Sequence, residues 1–335
     1  MKWSVIGAGG IADRRTIPAI IADKENELVA VMDRVPEVAK KIGEKYGVPY
    51  FTDEAEMLAS IPSDAVYIGT PVFCHKKQIE TAIAYGRHIF VEKPIAMNAQ
   101  EGAEIVEACK KAGLQLTVGY MMKYHSLHER AKALIRAGEI GTVGSVRAQF
   151  TCWYPDIEGA WRQKKSLGGG GALMDLGVHC IELLEFLLDD EIEAVKGICS
   201  THTFSYEVED GAVIVFRTRG GVLGHVDVAF NIPDAASESK LEIYGTKGYL
   251  QAKGTLGQEE TGVLTHLYAS QGDYDAAQSR VTREPQTYTP EGKNLYEYQI
   301  RVFRETVSSG TPDYFYAERA VQVQAVVDQV YSEQD

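Results

Sequence analysis

The feature that most constrains this chain is Gly7-Ala8-Gly9-Gly10-Ile11-Ala12, which fits G-x-G-x-x-A. It follows a short β-type run at residues 2–6 (KWSVI). It opens a segment in which Ile11, Ile17, Ile20 and Ile21 are available for one helix face. A strand that turns through such glycines into a helix leaves few architectures open. The first glycine permits the tight turn, the second lets backbone approach a pyrophosphate, and the small Ala12 lets helix and strand pack closely. Gly10 and Ile11 then lie at the helix N-terminus, where free N–H groups and the positive end of the helix dipole face an anion.

The continuation supports a dinucleotide rather than an empty turn. Residues 27–32 (ELVAVM) read as a second strand, and Asp33 ends it about 20 residues beyond the turn, where an adenosine ribose expects its acidic partner. A carboxylate there accepts from the 2′- and 3′-hydroxyls and repels a 2′-phosphate, which favours NAD. Arg34 beside it is a guanidinium able to pair with the phosphate of NADP. A helix is expected from Pro36, since proline at a helix start loses no needed N–H. Strands are expected at 64–69, 88–91 and 114–118, with helices near 74–86 and 98–112 between them. This alternation predicts a parallel, doubly wound sheet. The plain alternative, a glycine turn in a βαβ unit that holds no cofactor, does not account for Asp33.

Near residue 140 the pattern changes. A long β-rich run at 143–154 leads to Gly168–Gly171 and an amphipathic helix at about 172–188. Strand signals then follow one another at 194–204, 211–218, 221–230, 240–244 and 248–252. The paired glycines in RTRGGV tolerate positive φ and predict a hairpin turn. Strands without intervening helices predict a mostly antiparallel sheet. Helices near 294–309 and 317–332 close the chain. The expected fold is α/β: a Rossmann domain over residues 1–121, then an α+β domain over 122–335 with an open, mostly antiparallel sheet. The last helix is free to return to the first domain.

Bulk properties exclude several function classes. A net charge of −13 disfavours a nucleic-acid or anionic-membrane surface. Five cysteines, an odd number without a C-x-x-C pair, fit reduced thiols in a cytoplasmic protein, and no metal-ligand spacing is visible. No run approaches the roughly 18 apolar residues of a membrane span.

Two further motifs carry chemistry. Glu92-Lys93-Pro94 ends the strand HIFV, and ligands in open α/β sheets lie off the carboxyl ends of strands. The second motif runs Gly168 to Gly171, Ala172, Leu173, Met174, Asp175, Leu176, Gly177, Val178, His179. Asp175 and His179 are four apart on a predicted helix and share a face. An ordinary imidazole titrates near neutral pH, so His179 can act as a base, with Asp175 orienting it. The glycines let backbone approach a ligand closely. Taken singly, a lysine after a strand is a solvated charge, and Asp175 with His179 is a surface pair beside a flexible loop.

Together these residues resemble the glucose–fructose oxidoreductase / inositol dehydrogenase family. The resemblance runs from the glycine turn through EKP and the Gly-rich D-x-x-x-H segment to LEIYGTKGYL, NLYEYQIRVF and AERAVQVQAVVDQVY. It implies a catalytic lysine, aspartate and histidine at Lys93, Asp175 and His179. It also implies a homodimer or homotetramer paired through the second domain's sheet. Thr70-Pro71 looks like the family's nicotinamide-side turn, with His75 following in the next helix, and Glu92 belongs to the same crevice. Gly119 to Tyr124 resembles the segment that supplies substrate contacts, here with Lys123 and Tyr124, while Met122 replaces a more basic stretch. Trp161 and Arg162 are further candidates for lining the substrate pocket. Core packing for Trp161 and a surface charge for Arg162 are the plain alternatives.

The implied reaction is hydride transfer between NAD, or NADP, and a hydroxyl or carbonyl of a sugar, polyol or related cyclic alcohol. A glycosidase that uses transient oxidation by NAD, and a non-catalytic dinucleotide or sugar sensor, are the rival readings.

Overall fold

A computed structural model of the protein describes residues 1–269, 274, 276 and 283–334. Strand β1 (Lys2–Ile6) is buried along four of its five residues, as a central parallel strand covered on both faces must be. It feeds a π-type helical turn at Ala12–Thr16, which continues into α1 (Ile17–Ala22). There follow β2 (Glu27–Met32), α2 (Pro36–Tyr46), β3 (Tyr50–Phe51), α3 (Glu54–Ser60), β4 (Ala65–Ile68), α4 (His75–Ala84), β5 (His88–Val91), α5 (Ala99–Ala112) and β6 (Leu116–Val118). The strands form one parallel sheet in the order β3-β2-β1-β4-β5-β6, the doubly wound order that the alternation predicts. Helix ends follow local chemistry. The Asn98 side chain accepts from Glu101 N–H at 2.9 Å at the start of α5, and Gly113 closes it at φ 66°.

Helix α6 (Ser126–Arg136) precedes β7 (Val143–Thr151), α7 (Lys165–Gly168), a second π-type turn at Leu173–Gly177, and α8 (Val178–Leu188). Strands β8 (Ile192–Ser200), β9 (Gly211–Thr218), β10 (Leu223–Ala229), β11 (Lys240–Gly245), β12 (Gly248–Lys253), β13 (Val263–Tyr268) and β14 (Gln286–Tyr288) complete an eight-stranded sheet with β7. Among the described residues only the β7–β10 pairing of this sheet is parallel, so the sheet is mostly antiparallel. The RTRGGV segment is the expected hairpin turn between β9 and β10, with Gly221 at φ 90°. Helices α9 (Leu295–Ser308) and α10 (Phe315–Ser332) close the chain.

The chain divides into two compact units. The first gathers Met1–Tyr120, Gly159–Gly170 and Tyr296–Asp328; the second gathers Met121–Glu158, Gly171–Leu295 and Gln329–Asp335. In the first, Phe303 of α9 is fully buried, with ring centroids 5.0 Å from Trp3 and 5.6 Å from Phe90, so most of the closing helices belong to the Rossmann core. In the second, α8 is buried almost all round and packs on β7 and on α6. No helix among the described residues is long and apolar enough to cross a membrane.

Candidate active site

The first unit carries the dinucleotide cradle. The N–H groups of Gly7 and Ala8 both donate to the carbonyl of Met32, at 2.9 and 3.1 Å, so the glycine turn is tied to the end of β2. The next residue, Asp33, accepts from Gly9 N–H at 3.3 Å and Val35 N–H at 3.0 Å, which aims its carboxylate along the turn. Gly7 sits at φ 78°, and a Cβ on it would lie 2.7 Å from the Thr70 methyl; one on Gly9 would lie 3.1 Å from Val38. Gly7 has no room for a Cβ, and one on Gly9 would press on Val38. Gly10 is exposed at φ 55° and, with Ile11, presents the first N–H groups of the helix.

A cavity of about 820 Å³ opens above this turn. Its wall includes Gly7, Gly9, Gly10, Asp33, Arg34, Thr70, Pro71, Gln78 and Trp161, together with Asp53 and Glu54 from the start of α3. The volume suits a cofactor site. A glycine turn closely packed at Gly7 and Gly9, an acceptor held at the end of β2 and an open helix N-terminus fit a dinucleotide. Trp161 reaches this wall from Gly159–Gly170, and Arg162 lies over its indole at 4.4 Å. A Cβ on Gly168 would strike the Arg162 carbonyl at 2.9 Å, so this glycine serves packing inside the chain.

The neighbouring strand ends supply Glu92 and Lys93. Strand β5 pairs with β4 in register, Ile68 opposite Val91, so the turn after β5 stands beside Gly69-Thr70-Pro71. The Tyr67 hydroxyl donates to Glu92 Oε1 at 2.7 Å. Burial pushes the Glu92 carboxyl above its ordinary range, against the pull of the Tyr67 hydroxyl and Lys93, and pushes the Tyr67 phenol well up. Lys93 is half-buried and precedes a cis peptide bond to Pro94. The imidazole of His75 is buried, with Nδ1 3.0 Å from the Pro94 carbonyl and Nε2 3.0 Å from that of Thr70. His75 thus meets two backbone carbonyls.

Asp175 and His179 lie in the second unit. Asp175 is half-buried within the π-type turn Leu173–Gly177, and His179 is buried at the second position of α8. The expectation of one regular α-helix from residue 172 is corrected here: the wider turn changes the phase between the two residues. Among the described residues, both π-type turns follow a glycine-rich segment, and such turns recur at functional sites. Phe150 meets the His179 ring edge-on at 6.4 Å between centroids.

Sequence reading missed Glu209. Its carboxylate accepts from Gly171 N–H and Leu173 N–H, each at 2.9 Å, and from the Tyr331 hydroxyl at 2.7 Å. A Cβ on Gly171 would lie 2.0 Å from the Glu209 carbonyl. Of the predicted substrate residues, Lys123 is buried and donates to Glu182 at 2.7 Å, while Tyr124 is half-buried with the Lys123 ammonium 5.5 Å over its ring.

Comparison with known proteins now decides the family. Residues 1–120 match the family model described as oxidoreductase family, NAD-binding Rossmann fold, and residues 128–251 match the GFO/IDH/MocA C-terminal domain. A 1,5-anhydro-D-fructose reductase of Ensifer adhaerens is 30% identical over 308 residues, covering 91% of this chain and 88% of that one. The chain belongs to the GFO/IDH/MocA family of oxidoreductases. It is therefore an NAD(P)-dependent enzyme, as its motifs predict.

Among solved structures of similar fold, GenD2 from gentamicin A biosynthesis, in complex with NAD, is 27% identical with a TM-score of 0.83, covering 99% of this chain and 93% of that one. The aldose-aldose oxidoreductase from Caulobacter crescentus, complexed with glycerol, shares the fold at 24% identity with a TM-score of 0.87, covering 99% and 96%.

Proposed function

We propose that this family member transfers a hydride between a nicotinamide dinucleotide and a hydroxyl or carbonyl carbon of a sugar or polyol. The observation that carries the reading lies at the carboxyl edge of the six-stranded sheet. There a cavity walled by the glycine turn, Asp33 and Thr70 stands beside the strand end that bears Lys93. The name of the Ensifer adhaerens relative, a 1,5-anhydro-D-fructose reductase, supports a small cyclic polyol or its ketone as the substrate class.

When bound, the dinucleotide supplies the site of hydride gain or loss at its nicotinamide. Gly7, Gly9, Gly10 and Ile11 would hold its pyrophosphate, Asp33 its adenosine ribose, and Thr70, Pro71 and Glu92 would lie at its nicotinamide end. Asp33, an acceptor fixed by two backbone N–H groups, supports NAD over NADP, while exposed Arg34 is the feature that would favour NADP. Trp161 and Arg162 close the cavity wall.

In the reaction itself, His179 takes the hydroxyl proton during oxidation and returns one to the alkoxide during reduction; the alternative division makes Lys93 the direct proton carrier and His179 part of a relay. Lys93 hydrogen-bonds the same oxygen and stabilises its developing negative charge. Asp175 orients His179, and Tyr124 contacts substrate. The assembly is a homodimer or homotetramer. The exposed side chains of Ile198, Val213, Val215 and Leu223 on the outer face of the eight-stranded sheet support pairing through that face. The working compartment is the cytoplasm.

The test follows absorbance of reduced nicotinamide with a panel of sugars and polyols, 1,5-anhydro-D-fructose among them, with NAD(H) and NADP(H) in parallel. Lys93→Ala and His179→Ala should each cut turnover by orders of magnitude while NADH binding, read by fluorescence, survives. Wild-type turnover in either variant removes that residue's role. Release of a sugar from a glycoside without net cofactor change would establish the glycosidase alternative. Tight NADH binding with no turnover on the whole panel would leave a sensor.

A further inference from the structure

His75 occupies an unusual place. It opens α4, yet its ring turns back between the ends of two neighbouring strands. One ring nitrogen faces the carbonyl of Thr70, in the turn after β4, and the other that of Pro94, directly after Lys93. Buried carbonyls need donors, and proline and its neighbour leave few nearby. The next turn of the same helix adds a second hold, because the Thr70 hydroxyl bonds Gln78 Oε1 at 2.5 Å. Thr70 in turn packs its methyl against Gly7. A single chain of contacts thus runs from the glycine turn, through Thr70 and His75, to the backbone that carries Lys93. The buried ring is neutral and carries one N–H; placed on Nδ1 it donates to the Pro94 carbonyl, while Nε2 lies beside that of Thr70 with no room for a ligand.

We propose that His75 is a positioning residue that fixes the Lys93 backbone against the dinucleotide cradle, rather than a cofactor ligand. The inference rests on the reading of Lys93 as the catalytic lysine. A ring that merely filled core space would be replaceable by any side chain of similar bulk. A ring that tethers the turn through a nitrogen is replaceable only by one that keeps the donor. Asn at position 75 keeps an N–H where Nδ1 faces Pro94, Gln keeps one where Nε2 faces Thr70, and Leu keeps neither.

The experiment measures the acetylation rate of Lys93 in the protein without added dinucleotide. The reagent is limiting N-hydroxysuccinimide acetate, read by peptide mass spectrometry and normalised to exposed Lys24. NADH affinity is measured in parallel by fluorescence. His75→Leu should raise Lys93 labelling about fivefold, the opening expected from one lost hydrogen bond, and His75→Asn should return it close to wild type. NADH affinity should stay within about threefold throughout, as only the lysine turn has loosened. If His75→Leu does not fold, His75→Gln takes its place in the comparison.

Wild-type Lys93 labelling in His75→Leu, or equal labelling in the Leu and Asn variants, overturns the proposal. So does a loss of NADH affinity without any change at Lys93, which would make His75 a ligand. Turnover of Lys93→Ala separates the two levels. If that variant is inactive while His75→Leu leaves Lys93 unchanged, only the positioning role fails; if it is active, the catalytic reading of Lys93 fails.

Discussion

Leu173 donates its backbone N–H to the carboxylate of Glu209 at 2.9 Å, so a residue from a distant loop caps the turn that presents Asp175. Gly171 N–H and the Tyr331 hydroxyl share the same carboxylate. Burial pushes Glu209 upward in pKa, and these three donors oppose it. Glu209→Ala leaves them buried without an acceptor. It should cost about 3 kcal/mol, and Glu209→Gln, which keeps one oxygen, about half of that. Thermal and denaturant melts check the order; equal stability of all three proteins would show that the cap carries no weight.

The buried pair of Lys123 and Glu182 links the turn Met121–Tyr124 to α8, one turn beyond His179. Both side chains are about 95% hidden, at 4% and 5% exposure, so removing one charge strands the other. Glu182→Leu should therefore destabilise by about 3–5 kcal/mol, and Lys123→Met with Glu182→Leu should recover most of that loss, since a buried pair is worth little over an apolar replacement. A double-mutant cycle by denaturant unfolding measures this. Additive losses would mean that the two charges are solvated independently.

Gly7 has two reasons to be glycine: φ 78°, and a Thr70 methyl 2.7 Å from any Cβ. Gly7→Ala should cost about 1–3 kcal/mol and weaken NADH binding by about tenfold or more, because the turn must move away from both Met32 and Thr70. Gly10→Ala, at φ 55° with nothing within 4 Å, meets only the backbone penalty and should cost less. NADH titration and a melt of both variants distinguish steric from conformational cost. Equal losses would place the whole effect in φ.

What could be read in the sequence was whatever is written locally. The glycine turn, Asp33 at its spacing and the strand–helix alternation specify the first sheet, because each is written in short motifs or in a fixed spacing within one βαβ unit. Helix α6 went unread: His125 caps it in place of the usual Ser, Thr, Asp or Asn, and its apolar positions are sparse. Strand β3 is two residues long and carries no period. Strands β13 and β14 lie beyond the last strand signal read. Glu209 and the joining of Gly159–Gly170 to the first unit are long-range facts with no local signature. The Gly168–Gly171 run illustrates the limit. Its composition announces close approach, and in the structure Gly168 and Gly171 approach the chain's own backbone at Arg162 and Glu209.

Two buried imidazoles tie stability to pH on the acid side. Burial pushes His75 down to about 4 and His128 to about 3, from an ordinary value of 6.5. His128 is held between the Met122 carbonyl and the Thr255 hydroxyl. Between about pH 6.5 and pH 4 the unfolded chain binds a proton at each site while the folded chain does not. Stability therefore rises with pH across that window and is lost as pH falls through it. For His75 the full span corresponds to about 3 kcal/mol. His88 and His125 are also lowered and act in the same direction. The carboxylates held low, Asp13, Asp23 and Asp189, lose their contribution only below about pH 4, outside the window. Glu92 and Glu209, raised by burial, act in the opposite direction above their ordinary range, so the readout is the difference between proteins: His128→Gln should make the fall in melting temperature from pH 7 to pH 5 shallower than in wild type. The same slope in His128→Gln and wild type would mean that this ring is already charged in the folded protein.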